Sequence, residues 1–259
     1  MLTMNLVSGQ VGLSRSGSVF LLARMLEDGT ALSYLEQTCP RQHFAVCTDL
    51  NELKSYNSLH PYPEGSLDDY FLWGGPLAKL GGFTGEEAEA GAIVRGTLSM
   101  YAPAQFRASV IDGWRQFSLF STGREITPVP DEHWVATAIL GRFGSAVYEK
   151  YRHSEQIRNN LDFSFISRVD TVVVAASSLL LVGFLIIPRA KNQPRSFYAT
   201  IMMTTMVVGN AFTLGALSGP QPRYQGRVIW MVPLLAGCFV LNRVICLKRQ
   251  IQNGRPLKV

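Results

Sequence analysis

The chain has 259 residues, of which 47% are hydrophobic and 17% charged, with a formal net charge of +5 and four cysteines. These values are typical of one soluble domain joined to a small membrane domain. The basic residues cluster at the ends of apolar runs and do not form a face interleaved with aromatic side chains, which argues against nucleic acid as a partner.

The amino-terminal residues lack the pattern of a secretory signal, because the first basic residue is Arg15 and the apolar run 19–23 is short. Either the domain that follows is cytoplasmic, or the chain is the carboxy-terminal part of a larger polytopic protein whose earlier spans carry the export signal. The second interpretation is favoured.

Residues 1–170 predict a mostly helical extramembrane domain. Ser16 or Ser18 caps a first helix that ends at Asp28-Gly29, and a second helix follows from Thr30 to about Thr38. The density of Pro, Gly, Asn and Ser predicts a loop over 51–82 with one short element at 70–73. Further helices are predicted at 84–100, at 103–120 and in a segment whose apolar residues recur every four positions on one core-facing side, namely Val135, Ile139, Phe143, Val147 and Tyr151.

Two groups of residues in this domain are candidate sites. Cys39, His43 and Cys47 have helical spacing, but a fourth metal ligand is not evident. If the domain is external, its compartment is oxidising, and a Cys39–Cys47 disulfide is favoured over free thiols and over a metal site. Neither a metal nor a cofactor is expected. Asp68 and Asp69 are weak candidates for a general base, since adjacent carboxylates raise one another's pKa, although such a pair is usually a solvated turn.

Three apolar runs at 171–187, 197–217 and 228–247 predict transmembrane helices, followed by a basic tail at 248–259. Asn210, inside the second run, is expected to make an interhelical hydrogen bond. The connector between the first two runs and the tail together hold seven Lys or Arg, against two in the connector 218–227. Basic loops stay in the cytoplasm, so the tail is predicted to be cytoplasmic and residues 1–170 periplasmic.

The connector 218–227 carries the most specific chemistry. Arg223, Tyr224 and Arg227 are expected at headgroup level, where guanidinium groups suit a phosphate or lipid headgroup. The alternative is that these side chains only anchor helix ends at the interface.

A resemblance extends over most of the chain. It rests on the following residues: the segment 18–29, Tyr34-Leu35, Cys39-Pro40, Cys47, Phe71-Leu72-Trp73, Leu217-Ser218-Gly219-Pro220 and the segment 223–227. In these residues the chain is similar to the carboxy-terminal half of uncharacterised multi-pass inner-membrane proteins of proteobacteria. The resemblance implies further spans upstream, location in the bacterial inner membrane and no particular activity.

The sequence therefore predicts an all-α integral membrane protein of unknown activity, with the bilayer, anionic lipid or polyprenyl phosphate, and other membrane helices as partners. One alternative is a component of polyprenyl-phosphate-dependent glycosyl transfer in envelope glycan synthesis, by analogy of layout only. The other is a non-enzymatic anchor or assembly subunit. The sequence contains no motif that names a reaction, so whether the protein is an enzyme is open.

Overall fold

The computed structural model describes residues 16–60, 66–123, 126, 134–186 and 194–252. Helix makes up 82% of the structure and no described residue lies in a strand, which confirms the predicted all-α class. The helices are α1 (Gly17–Glu27), α2 (Thr30–Thr38), α3 (Leu50–Leu59), α4 (Leu67–Trp73), α5 (Pro76–Lys79), α6 (Gly82–Gly85), α7 (Glu87–Ser118), α8 (Trp134–Phe143), α9 (Ser145–Arg152), α10 (Ser164–Ile186), α11 (Pro194–Ser218), α12 (Pro222–Ile229) and α13 (Met231–Gln252).

The chain divides into two compact units. The first comprises the residues up to Arg115 together with Phe212–Pro220, and the second comprises Gln116–Ala211 and the residues from Gln221 onward. In the first unit α1 and α2 form a hairpin at Gly29, whose φ of 77° confirms the predicted helix end. The apolar side of α1 is buried in the core of this unit at Val19, Leu22, Ala23 and Leu26.

The predicted short element at 70–73 lies in α4, but the loop predicted for the rest of 51–82 is wrong, because its described residues also contain α3, α5 and the start of α6. Leu53, Leu67, Phe71 and Leu77 from this region are fully or almost fully buried in the first core. Composition was misleading because the glycines lie between short helices. Gly75 and Gly81 have φ of 120° and 93°, values that residues other than glycine rarely adopt.

Two helical segments are interrupted, one where the sequence predicts an interruption and one where it does not. The helix α7 bends at Tyr101, where φ is −124° and ψ is 22°, just before Pro103, as two successive helices predict. The expected core face between 135 and 151 is wrong in its second half, since Phe143 is 67% and Val147 44% exposed. Gly144 adopts φ 80° and ψ 173°, so the backbone interrupts the helix that would have kept these residues on one face.

Three segments are long and apolar enough to cross a bilayer: Ser164–Phe184, Phe197–Ser218 and Pro222–Ile245. They fit an integral membrane protein. The first helix begins seven residues before Thr171 and the last segment six residues before Val228. Within the second unit Leu181, Val207, Val232 and Ala236 of these helices form a buried apolar cluster.

Candidate functional site

The arginines of the connector lie on a helix. After Gln221 the chain enters α12 with Pro222 at its first turn, where the missing N–H costs nothing. Pro222 and Gln225 are buried, whereas Arg223 and Arg227, one helical turn apart, are exposed. The sequence predicted a loop throughout 218–227, and the structure instead presents both guanidinium groups from one rigid element.

Buried amide groups hold α12 against α11. The side chain of Gln225 is 0% exposed and its Nε2 donates to the carbonyl oxygen of Val207 at 3.2 Å. Asn210 Nδ2 donates to Gln225 Oε1 at 2.9 Å and to the carbonyl oxygen of Tyr224 at 3.2 Å. The predicted interhelical hydrogen bond of Asn210 is therefore confirmed, and it fixes the rotation of α12.

A second buried amide fixes where α12 begins. Gln116 is 0% exposed, its Nε2 donates to the carbonyl oxygen of Gln221 at 2.9 Å, and its Oε1 accepts from the Gln221 N–H at 2.6 Å. Sequence reasoning missed Gln116 and Gln225, because nothing local distinguishes a buried glutamine from a solvated one.

Arg223 and Arg227 line a cleft of about 410 Å³ in the second unit. Gly226 lies between them on the same wall, and the opposite wall is the segment 120–123 with Ile126. That wall is tied to α10, because Thr122 Oγ1 donates to Asp170 Oδ2 at 2.7 Å and the Thr122 N–H donates to Ser167 Oγ at 3.2 Å.

The described lining of the cleft contains two cationic side chains. None of its described lining residues is acidic, and two guanidinium groups on adjacent turns can bind phosphate oxygens in bidentate fashion. The Ser121 hydroxyl, which lines the same cleft, is buried and has no hydrogen-bond partner among the described residues. Tyr224 supports the first arginine, whose Cζ lies 5.1 Å from the Tyr224 ring centroid.

The two candidate aspartates take different places in the first unit. Asp69 is exposed in the first turn of α4, where its N–H donates to the capping Ser66 at 3.3 Å. Asp68 instead lies 3.7 Å from Nη1 of Arg24. The Asp69 N–H also donates to Asp68 Oδ1 at 2.7 Å, so the two neighbours stay in contact through the backbone, and a catalytic role of either residue stays a prediction.

Asp68 belongs to a buried charge cluster centred on Arg24, which is 5% exposed. The Arg24 guanidinium forms ion pairs with Asp28 and, at 2.5 Å, with Asp112 Oδ2. Burial raises the pKa of Asp28 to about 6, with Asp112 adding to the rise, although Arg24 and a hydrogen bond from Gln105 oppose it. The sequence had not indicated this cluster, since Arg24 and Asp112 are 88 residues apart.

The predicted cysteine pair is close in the fold. Cys39 and Cys47 form a disulfide in the structure, with Cα atoms 5.7 Å apart, and His43 between them is exposed. No group of three His, Cys, Asp or Glu side chains that could hold a metal ion occurs in the described part of the chain.

Comparison with known proteins identifies no relative of this chain. No protein-family model matches the chain, and neither the curated proteins nor the solved structures contain a significant match.

Proposed function

We propose that this is an integral protein of the bacterial inner membrane whose arginine cleft binds the phosphate group of a membrane lipid, with polyprenyl phosphate as the ligand. The observation that carries the proposal is the placement of Arg223 and Arg227 on one wall of a single cleft. Such a ligand would place the protein in envelope glycan synthesis, as a component of polyprenyl-phosphate-dependent glycosyl transfer.

The position of the cleft in the chain supports a lipid ligand. Arg223 and Arg227 lie in the first two turns of the candidate span Pro222–Ile245. An arginine at the end of a span lies at the level of the lipid headgroups. A phosphate attached to an acyl or prenyl chain is the anion that is concentrated at that level.

The non-enzymatic alternative treats these arginines as interfacial anchors. Anchoring needs only that the guanidinium groups reach the headgroup region. It does not require the buried amides Gln116 and Gln225, which fix the start and the rotation of α12. Selective phosphate binding requires that the two guanidinium groups be held rigidly at a concave surface.

The experiment is a binding measurement on the purified protein by native mass spectrometry. A short-chain polyprenyl phosphate, phosphatidylglycerol and inorganic phosphate are compared as ligands. We expect the double variant R223Q/R227Q to bind polyprenyl phosphate at least about 100-fold more weakly, because each lost guanidinium group removes a charge-assisted hydrogen bond of about 1.5–3 kcal/mol. R243Q removes one cation of the same segment outside the cleft and should bind as the wild type does.

The three ligands separate the sources of the phosphate group. Selective binding of polyprenyl phosphate supports the proposal in full, and equal binding of phosphatidylglycerol would reduce it to general anionic-lipid binding. Competition by inorganic phosphate alone would indicate a soluble ligand. Unchanged binding in R223Q/R227Q would refute the site.

The location itself is tested by topology mapping. We infer from the basic loops that Gly254 is cytoplasmic and Gly123 periplasmic. Reporter fusions at the two positions should therefore give opposite signals, and equal signals would contradict three crossings.

A further inference from the structure

The second half of α7 carries an exposed apolar stripe. Phe106 is 71%, Val110 41% and Trp114 69% exposed, and their spacing of four residues places them along one side of the helix. An exposed stripe of large apolar side chains marks a surface that another apolar phase covers. The stripe lies inside residues 1–170, which the sequence predicts to be extramembrane.

This part of α7 packs closely on the end of α11 within the first unit. A Cβ built on Gly113 would lie 2.5 Å from the ring of Phe212. A Cβ built on Gly215 would lie 2.9 Å from the Cα of Gly113. The backbones therefore approach as closely as small residues allow helices to do in membranes.

The contact fixes the depth of α7 relative to a candidate span. Phe212 lies in the span Phe197–Ser218, six residues before its end. At about 1.5 Å per residue, this is about 9 Å along the helix from Ser218. Gly113 contacts Phe212, so it lies closer to the middle of the candidate span than Ser218 does. Trp114 is the next residue in the chain.

We propose that the second half of α7 is embedded in the bilayer interface, with Phe106, Val110 and Trp114 inserted among lipid headgroups and the first acyl carbons. Interfacial helices bury their apolar side about 5–10 Å into this boundary, and tryptophan is enriched there. This proposal does not depend on the arginine cleft.

The charges of the same segment fit this placement. Asp112 is 3% exposed and pairs with Arg24 and, at 3.1 Å, with Arg115. A buried carboxylate near the bilayer is therefore paired, as intramembrane charges are. Arg107 is exposed on the side of the stripe, and its long side chain allows the guanidinium to reach the headgroups while the stem covers apolar surface.

The test is fluorescence quenching by lipids brominated in their acyl chains. A variant that retains only Trp114 (W73F/W134F/W230F) is compared in vesicles with one that retains only Trp73, which is 64% exposed in the same unit. We expect brominated lipid to lower Trp114 fluorescence about twofold or more, because the ring lies within about 5–10 Å of the boundary. Trp73 should change little.

Single substitutions keep the test valid if the triple variants do not fold. In the otherwise unchanged protein, W114F should reduce the fraction of fluorescence that brominated lipid quenches, whereas W73F should not. Equal quenching of Trp114 and Trp73, or an unchanged quenchable fraction in W114F, would overturn the proposal.

Discussion

Gly215 of α11 lies against Asp112 of α7 so closely that a Cβ on the glycine would stand 2.5 Å from the Asp112 carbonyl oxygen. Backbone atoms cannot move aside as a flexible side chain can. We expect Gly215→Ala to destabilise the protein by about 1–3 kcal/mol, the usual cost of overpacking, as measured by thermal unfolding in detergent. Gly209→Ala in the same helix is the control, since nothing lies within 4 Å of its Cβ position. Equal melting temperatures of the two variants would contradict the contact.

Arg24 is the cation on which three buried or partly buried carboxylates converge. Arg24→Met should cost about 3–5 kcal/mol, because it leaves buried charge uncompensated. The control is Lys54→Met, which breaks an ion pair with Glu36 whose side chains are both 46% exposed and should cost less than about 1 kcal/mol.

The pH dependence of the Arg24→Met variant gives a second check. Burial raises the pKa of Asp28 to about 6 although the guanidinium opposes the rise, so without Arg24 this carboxyl takes up a proton more readily and the loss should shrink between pH 7 and pH 5. A loss that is the same at both pH values would show that the cluster does not act through charge.

Glu86 predicts a pH dependence of stability in the first unit. The residue is 2% exposed, and burial, followed by the neighbouring charge and hydrogen bond of Glu89, raises its pKa to about 7. A raised pKa means that the folded protein holds a proton that the unfolded chain releases. Stability from this group is therefore complete below about pH 4.5 and is lost as the pH rises through about 7.

The substitution Glu86→Gln should accordingly stabilise the protein at pH 8 by on the order of 1–3 kcal/mol, at about 1.4 kcal/mol per pKa unit. At pH 5 the variant and the wild type should unfold at nearly the same temperature. Denaturation at the two pH values measures this, and a variant that is less stable at pH 8 would contradict the argument.

The redox state of Cys39 and Cys47 reports on which side of the membrane the domain lies. If the first 170 residues are periplasmic, alkylation of protein extracted without reductant should label two of the four cysteines, and four after reduction. The labelled pair is Cys238, which is exposed, and Cys246, whose side chain lies outside the described residues. Eight residues along one helix separate their Cα atoms by about 12 Å, beyond the reach of a disulfide.

The same bond should contribute to stability. Replacing both Cys39 and Cys47 by serine should lower the free energy of unfolding by about 2–3 kcal/mol, because the unfolded chain is then less restricted.

In the alkylation experiment, labelling of all four cysteines without reductant would place the domain in the cytoplasm and reverse the predicted orientation.

Local features of the sequence were predicted well where one residue controls the backbone. The helix end at Gly29 and the bend before Pro103 follow from the conformational preferences of glycine and proline, and both are present. The loop at 51–82 failed for the opposite reason, because Leu53 and Phe71 are ordered by burial in a common core. Tertiary packing there overrides a loop-like composition.

The all-α class and the three candidate spans follow from local sequence, because about twenty consecutive apolar residues are long enough to cross a bilayer whatever the rest of the chain does. The sequence also identified Arg223 and Arg227. That these arginines share a cleft wall depends on long-range packing, because Gln116 and Gln225 fix α12 through hydrogen bonds that join residues up to 105 positions apart. Likewise the meeting of Arg24 with Asp112 depends on how α1 and α7 pack, which no local pattern of charges records.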